Sequence, residues 1–271
     1  GDLGREHPII LPPRSTIARA DYILIESTYG DRLHTKSAPA KELARIVNET
    51  IDRKGHLIIP SFAVGRVQEI LFLLAGLKAK KSIPNIPIFL DSPMGINATE
   101  VFLKYPEWHN LKPKDVDALA KVANMVHGQT QSFELSKRRE SSIVIAGSGM
   151  VSGGRVLQHL EMRLGSDRNC VLLVGFQAAG TRGRLLKDGI DKLKMRGHYV
   201  PVKARIEEIS SFSAHADQSE ILSWLEEFSS RPKKIFIAHG EPQAADALRV
   251  RIQDELEWNC HIPKMLETVE L

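Results

Sequence analysis

No stretch of the 271-residue chain approaches the roughly 18 to 20 uninterrupted apolar residues of a membrane span. The longest candidate, Ile70 to Leu77, has a glycine inside it, so a soluble protein that does not engage a membrane is expected. Cysteine is scarce: Cys170 and Cys260 stand far apart without CxxC spacing, which excludes a cysteine zinc site and fits a reducing compartment, the cytoplasm by default. The opening residues Gly1 to His7 lack the charged, apolar and small-residue regions of a signal peptide, and there is no initiating Met. Internal repeats and low-complexity tracts are missing. So are the GxGxxG fingerprint and a GxxxxGK(S/T) element, which disfavours a nucleotide cofactor. No His-x-His pair occurs anywhere in the chain.

What is there is an ordinary globular composition. Hydrophobic residues make up 42%, and 37 Lys+Arg against 33 Asp+Glu give a net charge of +4. A chain of this length buries about three quarters of its unfolded surface, enough to fold without a disulfide or structural metal. It is long enough for one large domain or two ordinary ones. The charge is compatible with nucleic acid, though many enzymes carry as much.

Short runs rich in Ile, Val and Leu alternate with amphipathic segments. Strands are predicted at Tyr22 to Glu26, His56 to Ile59, Pro87 to Leu90, Ser142 to Ala146, Cys170 to Gly175, Val200 to Ile209 and Lys234 to Ala238. Most lack period-two alternation, as strands of parallel sheets covered on both faces do. Helices are expected at Pro39 to Arg53, where proline opens the first turn, over the stripes Val67 to Leu77 and Val156 to Leu164, and at Ser219 to Phe228 and Gln243 to Trp258. The βα alternation predicts an α/β fold. Tyr105 to Lys137, more polar and broken by Pro106 and Pro113, reads as an excursion from the sheet.

Ligands of open α/β sheets bind beyond the carboxyl ends of strands. The loops there read Glu26 to Asp31, Pro60 to Arg66, Asp91 to Met94, Gly147 to Arg155, Ser213 to Asp217 and His239 to Glu241, and are expected to share one sheet edge. The glycine-rich loop before Arg155 offers backbone amides to an anion at a helix start, and Arg66 could add a forked contact to a phosphate. Glycines in such a loop also serve merely to bring strand and helix close. Of the ten histidines, His7, His34, His109 and His198 read as surface residues, and His127 and His159 as parts of helices or loops. His215 and His239 stand apart: each follows a predicted strand, flanked by small residues and an acid, where histidine can bind a metal or move a proton near neutral pH. Two histidines beside Glu26 and Asp31 do not complete a metal site, since catalytic zinc takes at least three protein ligands. The basic clusters, such as Lys137 to Arg139, read as solvated faces, with Arg182 and Arg184 best placed toward the loops.

Seven motifs taken together, Gly1-Asp-Leu-Gly4, Ile25-Glu-Ser-Thr-Tyr-Gly-Asp-Arg32, Pro60-Ser-Phe-Ala-Val-Gly-Arg66, Asp91-Ser-Pro-Met94, Ala146-Gly-Ser-Gly-Met150, Phe212-Ser-Ala-His-Ala-Asp217 and Ala238-His-Gly-Glu241, resemble the β-CASP branch of the metallo-β-lactamase superfamily, whose members include RNA-processing nucleases. The likeness is strongest to short bacterial members without extra RNA-binding domains. The resemblance implies part of a metallo-β-lactamase αββα sandwich, at residues 1–30 and 206–271, plus an inserted β-CASP domain at 31–205 with a mainly parallel sheet flanked by helices. By motif, Asp2 resembles a metal-bridging aspartate and His239 a zinc ligand. His215 looks like a proton donor to the leaving group and Glu26 like the acid that orients it. Arg66, Ser148, Gly149, Ser152, Gly153, Arg155 and Arg182 would then contact the phosphates of single-stranded RNA. Two zinc ions would serve the complete enzyme, clamping the scissile phosphate and activating water.

The branch's HxHxDH motif and a further histidine would stand upstream of Asp2, and the chain holds neither. The expectation is therefore a C-terminal portion whose missing N-terminal half is a partner, binding zinc poorly or not at all, nearly inactive alone and leaving one side of the lactamase-like sheet exposed. A homodimer is left open. The alternatives are a non-catalytic RNA-binding or scaffold subunit of the same family and, more remotely, a hydrolase of a small ester or thioester.

Overall fold

The apolar runs form strands and the amphipathic stretches form helices in the computed structural model of the protein, which describes residues 2–35 and 38–271. In chain order the strands are β1 (Tyr22–Glu26), β2 (Leu57–Pro60), β3 (Ile88–Asp91), β4 (Asn124–Met125), β5 (Ile143–Ala146), β6 (Cys170–Leu173), β7 (Lys192–Met195), β8 (His198–Pro201), β9 (Arg205–Glu208), β10 (Lys234–Ala238) and β11 (Cys260–His261). The α-helices are α1 (Pro39–Asp52), α2 (Arg66–Ala79), α3 (Pro93–Lys104), α4 (Pro113–Lys121), α5 (Gln129–Lys137), α6 (Val156–Arg163), α7 (Arg182–Lys187), α8 (Gln218–Glu226) and α9 (Pro242–Leu256). The chain divides into two compact units, Gly1–Thr35 with Ser213–Leu271, and Lys36–Phe212.

The continuous unit is built on a six-stranded sheet of order β4-β3-β5-β2-β6-β9, parallel at every pairing. Every residue of β2, β5 and β6 is buried, which is why these runs show no alternation: helices cover both faces. Its core packs Ile58, Val144, Val171 and Leu173 against Val156, Leu160 and Leu164 of α6 and its end. The discontinuous unit carries a parallel sheet of order β1-β10-β11. Its core joins Ile23, Ile25, Ile235 and Ile237 to Ile221, Leu225, Leu248 and Ile252 of α8 and α9.

Two expectations require correction. The run Val200 to Ile209 is not one strand: β8 pairs antiparallel with β7, whereas β9 joins β6 in the parallel sheet. The β7–β8 turn is the pair Arg196-Gly197, both at positive φ, as a two-residue hairpin turn demands, and Arg-Gly is a weak sequence signal for it. β9 is the edge strand of the six-stranded sheet, and the continuous unit runs to Phe212. Finally, the six polar loops do not share one sheet edge, since β1 and β10 lie in one sheet and β2, β3, β5 and β6 in another.

Candidate functional site

Parallel pairing of β1 with β10 sets Glu26 opposite Ala238, so the two strands end together and their loops emerge side by side. The next residues interlock. Ser27 Oγ donates to the Ala238 carbonyl (2.8 Å), and Gly240 lies so close to Ser27 that a Cβ there would stand 2.4 Å from its carbonyl oxygen. Between them, His239 adopts a positive φ of 52°. Thr28 Oγ1 donates to the His239 carbonyl (2.9 Å) and lies 3.2 Å from Nδ1. Asp2 Oδ1 is 3.3 Å from that same nitrogen.

Glu26 is fully buried. Its Oε1 accepts from the amides of Leu3 (2.8 Å), Gly4 (3.1 Å) and Ala216 (3.4 Å), and its Oε2 accepts from Nδ1 of His215 (2.7 Å). Burial alone would raise the carboxyl pKa. The His215 hydrogen bond and charge, with the Gly4 and Leu3 amides, outweigh it and hold the group below the usual carboxylate range. A carboxylate can only accept, so His215 carries its proton on Nδ1. The His215 and His239 rings stand 5.1 Å apart. Asp2, His215 and His239 bring one ligand atom each to within 4.8 Å of one another.

The Ser213–Asp217 loop is held from below. Asp217 caps α8 through a reciprocal box: its Oδ1 accepts from the Glu220 amide (2.9 Å), and Glu220 Oε2 accepts from its own amide (3.0 Å). Asp217 Oδ2 accepts from the His34 amide (2.8 Å), and His34 Nε2 donates to the His215 carbonyl (3.0 Å). His34, read as a surface residue, is buried and packs on Tyr29. His109 is buried as well, stacked on Phe102. His34, Asp217 and Glu220 also lie within ligating distance of one another, but the carboxylate oxygens are occupied by the cap, by His34 and, at Glu220 Oε1, by Arg5 (3.0 Å), so that cluster is a hinge of hydrogen bonds.

In the continuous unit, the glycine-rich loop between β5 and α6 turns its carbonyls inward. Gly147 accepts from the Val156 amide (3.0 Å), Ser148 from Val151 (3.1 Å), Gly149 from Gln177 Nε2 (3.1 Å), and Met150 from the Gly183 amide (3.0 Å). The amides of Gly149, Ser152 and Gly153 have no protein acceptor among the described residues, the arrangement of an anion cradle. Arg182 stays on the surface, donating to Ser152 (3.3 Å) and Lys194 (2.9 Å) carbonyls.

Two of the arginines assigned to phosphate are engaged by the protein. Arg66 is buried and ion-paired with Glu69, with Phe212 beneath its guanidinium at 5.5 Å. Arg155 donates from Nη1 to Asp91 Oδ1 (2.7 Å) and to the Val126 carbonyl (2.7 Å), and from Nη2 to His127 (2.7 Å). Asp91 itself is the hub of a network that sequence reasoning missed. Its Oδ2 accepts from Ser132 (2.5 Å) and His159 Nε2 (2.7 Å), and His159 Nδ1 accepts from Arg163 (3.0 Å). Asp91 and His159 are fully buried. Burial would raise the Asp91 pKa, but the His159, Ser132 and Arg155 hydrogen bonds bring it below its ordinary value. Burial lowers that of His159, so the pair is a carboxylate beside a neutral imidazole. The acid directly after a buried apolar run was its only trace in the sequence.

Comparison with known proteins gives the family. Residues 67–186 match the Beta-Casp domain, and residues 199–263 match the Zn-dependent metallo-hydrolase RNA specificity domain. The protein named Ribonuclease TTHA0252 of Thermus thermophilus is 35% identical over 259 residues, which are 92% of this chain and 58% of that protein. An RNase J-like protein of Methanocaldococcus jannaschii is 32% identical over 265 residues, 94% of this chain and 60% of the relative. The transcription termination factor FttA of Pyrococcus abyssi is 28% identical over 278 residues, 97% and 43% of the two chains. The chain thus spans about three fifths of the length of the first two. Nearly its whole length aligns with these relatives, two domain models match successive parts of it, and the parallel sheets flanked by helices agree: the chain belongs to the β-CASP family of the metallo-β-lactamase superfamily.

Proposed function

We propose that this protein is, or is part of, a metal-dependent ribonuclease that hydrolyses phosphodiester bonds of single-stranded RNA in RNA processing or decay. The observation that carries the reading is the convergence of Asp2, Glu26, His215 and His239 at the ends of β1 and β10. On this reading Gly1–Thr35 with Ser213–Leu271 is the lactamase-like portion and Lys36–Phe212 the inserted β-CASP domain.

Asp2 and His239 offer a carboxylate and an imidazole lone pair to a zinc centre, a donor set that fits. Two bound zinc ions would supply Lewis acidity to the scissile phosphate and a lowered pKa to coordinated water. Such a centre takes more ligands than these two. His215, with Nδ1 held by Glu26, would donate its Nε2 proton to the departing oxygen. The buried carboxylate keeps the ring in that tautomer and stabilises the imidazolium before it gives up the proton. In the inserted domain the open amides of Gly149, Ser152 and Gly153, with Ser148 and Arg182, would contact RNA phosphates. Arg66 and Arg155 would act by shaping that loop, since their charges are met within the protein.

The converged catalytic set supports an enzyme over a non-catalytic RNA-binding subunit, which would have no use for a histidine held by a buried carboxylate. The decisive measurement is RNA cleavage by the longest natural form of the protein, with and without chelator. Chelation and His239→Ala should each abolish cleavage and lower the bound zinc measured by mass spectrometry. Full activity in His239→Ala would remove the ligand assignment. RNA affinity should fall steeply as salt rises, as phosphate contacts require.

A further inference from the structure

A half-exposed phenylalanine is by itself ordinary. Phe62 is not held in an ordinary way. It stands 48% exposed in the loop between β2 and α2, and its ring is seated against the backbone of Gly149. A Cβ on Gly149 would lie 2.6 to 3.0 Å from three carbons of the ring, so any residue other than glycine there would push the ring away. The loop beneath it is held by the bonds at Ser148, Gly149 and Met150. The result is an aromatic ring backed by peptide rather than buried by it. Within the same few residues, the amides of Gly149, Ser152 and Gly153 remain open to an anion.

We propose that Phe62 is a stacking platform for one unpaired nucleobase, whose own or neighbouring phosphate is held by the Gly149–Gly153 amides. This inference rests on the reading of RNA as the ligand and gives that reading a residue-level contact. The pairing of an apolar face with adjacent anion-binding amides is what a nucleotide presents in reverse: a flat base and a charged phosphate on one short backbone. A stacked base needs no sequence-specific edge contacts, so binding here would be tolerant of base identity. An aliphatic ligand or a peptide would use the apolar face but leave the amides without an anion.

The test is binding of fluorescently labelled oligouridylates by the 271-residue protein and by Phe62→Leu and Phe62→Trp. Loss of one base stack should weaken Phe62→Leu on the order of ten-fold, while Phe62→Trp should bind as well as the wild type or better. Matching melting curves and circular dichroism for Phe62→Leu exclude a folding defect. A set of oligouridylates, each with one abasic nucleotide, gives the coupling: one position should cost affinity for the wild type and nothing further for Phe62→Leu. Equal affinity of wild type and Phe62→Leu, with no position coupled to Phe62, would overturn the platform while leaving RNA binding intact. If the wild type bound no oligouridylate at all, the RNA reading itself would fall and the platform with it.

Discussion

A single histidine illustrates how burial sets chemistry in this protein. His56 lies buried at the start of β2, with Nδ1 2.9 Å from Ser142 Oγ. Burial, reinforced by the charges of Arg163 and Arg138, pushes its pKa down to about 4. The folded state therefore holds the ring neutral while the unfolded chain protonates it near pH 6.5. Between those values the unfolded state binds the extra proton, so stability should decline as pH falls from about 6.5 to 4, by up to about 3 kcal/mol. Buried neutral His159 works in the same direction. Thermal melts across that range should show the decline, and His56→Gln should flatten it; an unchanged slope would assign the pH dependence elsewhere. On the proposed reading of Glu26 and His215, Glu26→Gln should lower activity at least a hundred-fold, the scale of a lost general acid–base contribution, with RNA binding retained. A kinetic assay beside a binding assay separates the two.

At the scale of elements, the chemistry depends on how strands end and helices begin. Helix α8 starts at the Asp217–Glu220 box, and Asp217 also fixes His34, which in turn holds the His215 carbonyl. Asp217→Ala should thus cost about 1 to 3 kcal/mol, more than a simple cap, because the buried His34 amide loses its acceptor. Asp217→Asn should recover only part of it, since one carboxamide oxygen can replace one of the two accepting oxygens and the NH2 cannot accept from the other amide. Chemical denaturation of both variants checks the difference. The ends of β1 and β10 interlock through Gly240, where a methyl group would meet the Ser27 carbonyl at 2.4 Å. Gly240→Ala should part the two strand ends, lowering the melting temperature and abolishing cleavage; a variant of wild-type stability would show that the strand ends have room to move.

At the scale of the molecule, the two units have unequal claims to independence. Lys36–Phe212 is one continuous stretch with its own sheet and core. Expressed alone it should fold and unfold in one cooperative transition, seen by circular dichroism and by protected amides in β2, β5 and β6. Gly1–Thr35 with Ser213–Leu271 is drawn from both ends of the chain and pairs β1 with β10 across about two hundred intervening residues. Neither of its segments should fold by itself, because each supplies one of the two adjacent strands.

The sequence by itself determined the α/β class, most strands of the two parallel sheets, and the helices α1, α2, α6, α8 and α9. Those signals are local: apolar runs bounded by small polar residues, helical stripes, and motifs lying next to strand ends. It misjudged what depends on neighbours far along the chain. Two-residue β4 and β11 have too little pattern to read, and β8 and β9 looked like one strand because only residues 202–204 separate two extended stretches. His34 and His109, polar in their local surroundings, proved buried, His34 against the distant Ser213–Asp217 loop and His109 stacked on Phe102. Arg66 and Arg155 carry the right charge for phosphate, but Glu69 one turn along α2 pairs with the first, and only the folded chain brought Asp91 against the second. A motif names the groups available for chemistry; whether a given charge remains free is decided by what the tertiary structure packs beside it.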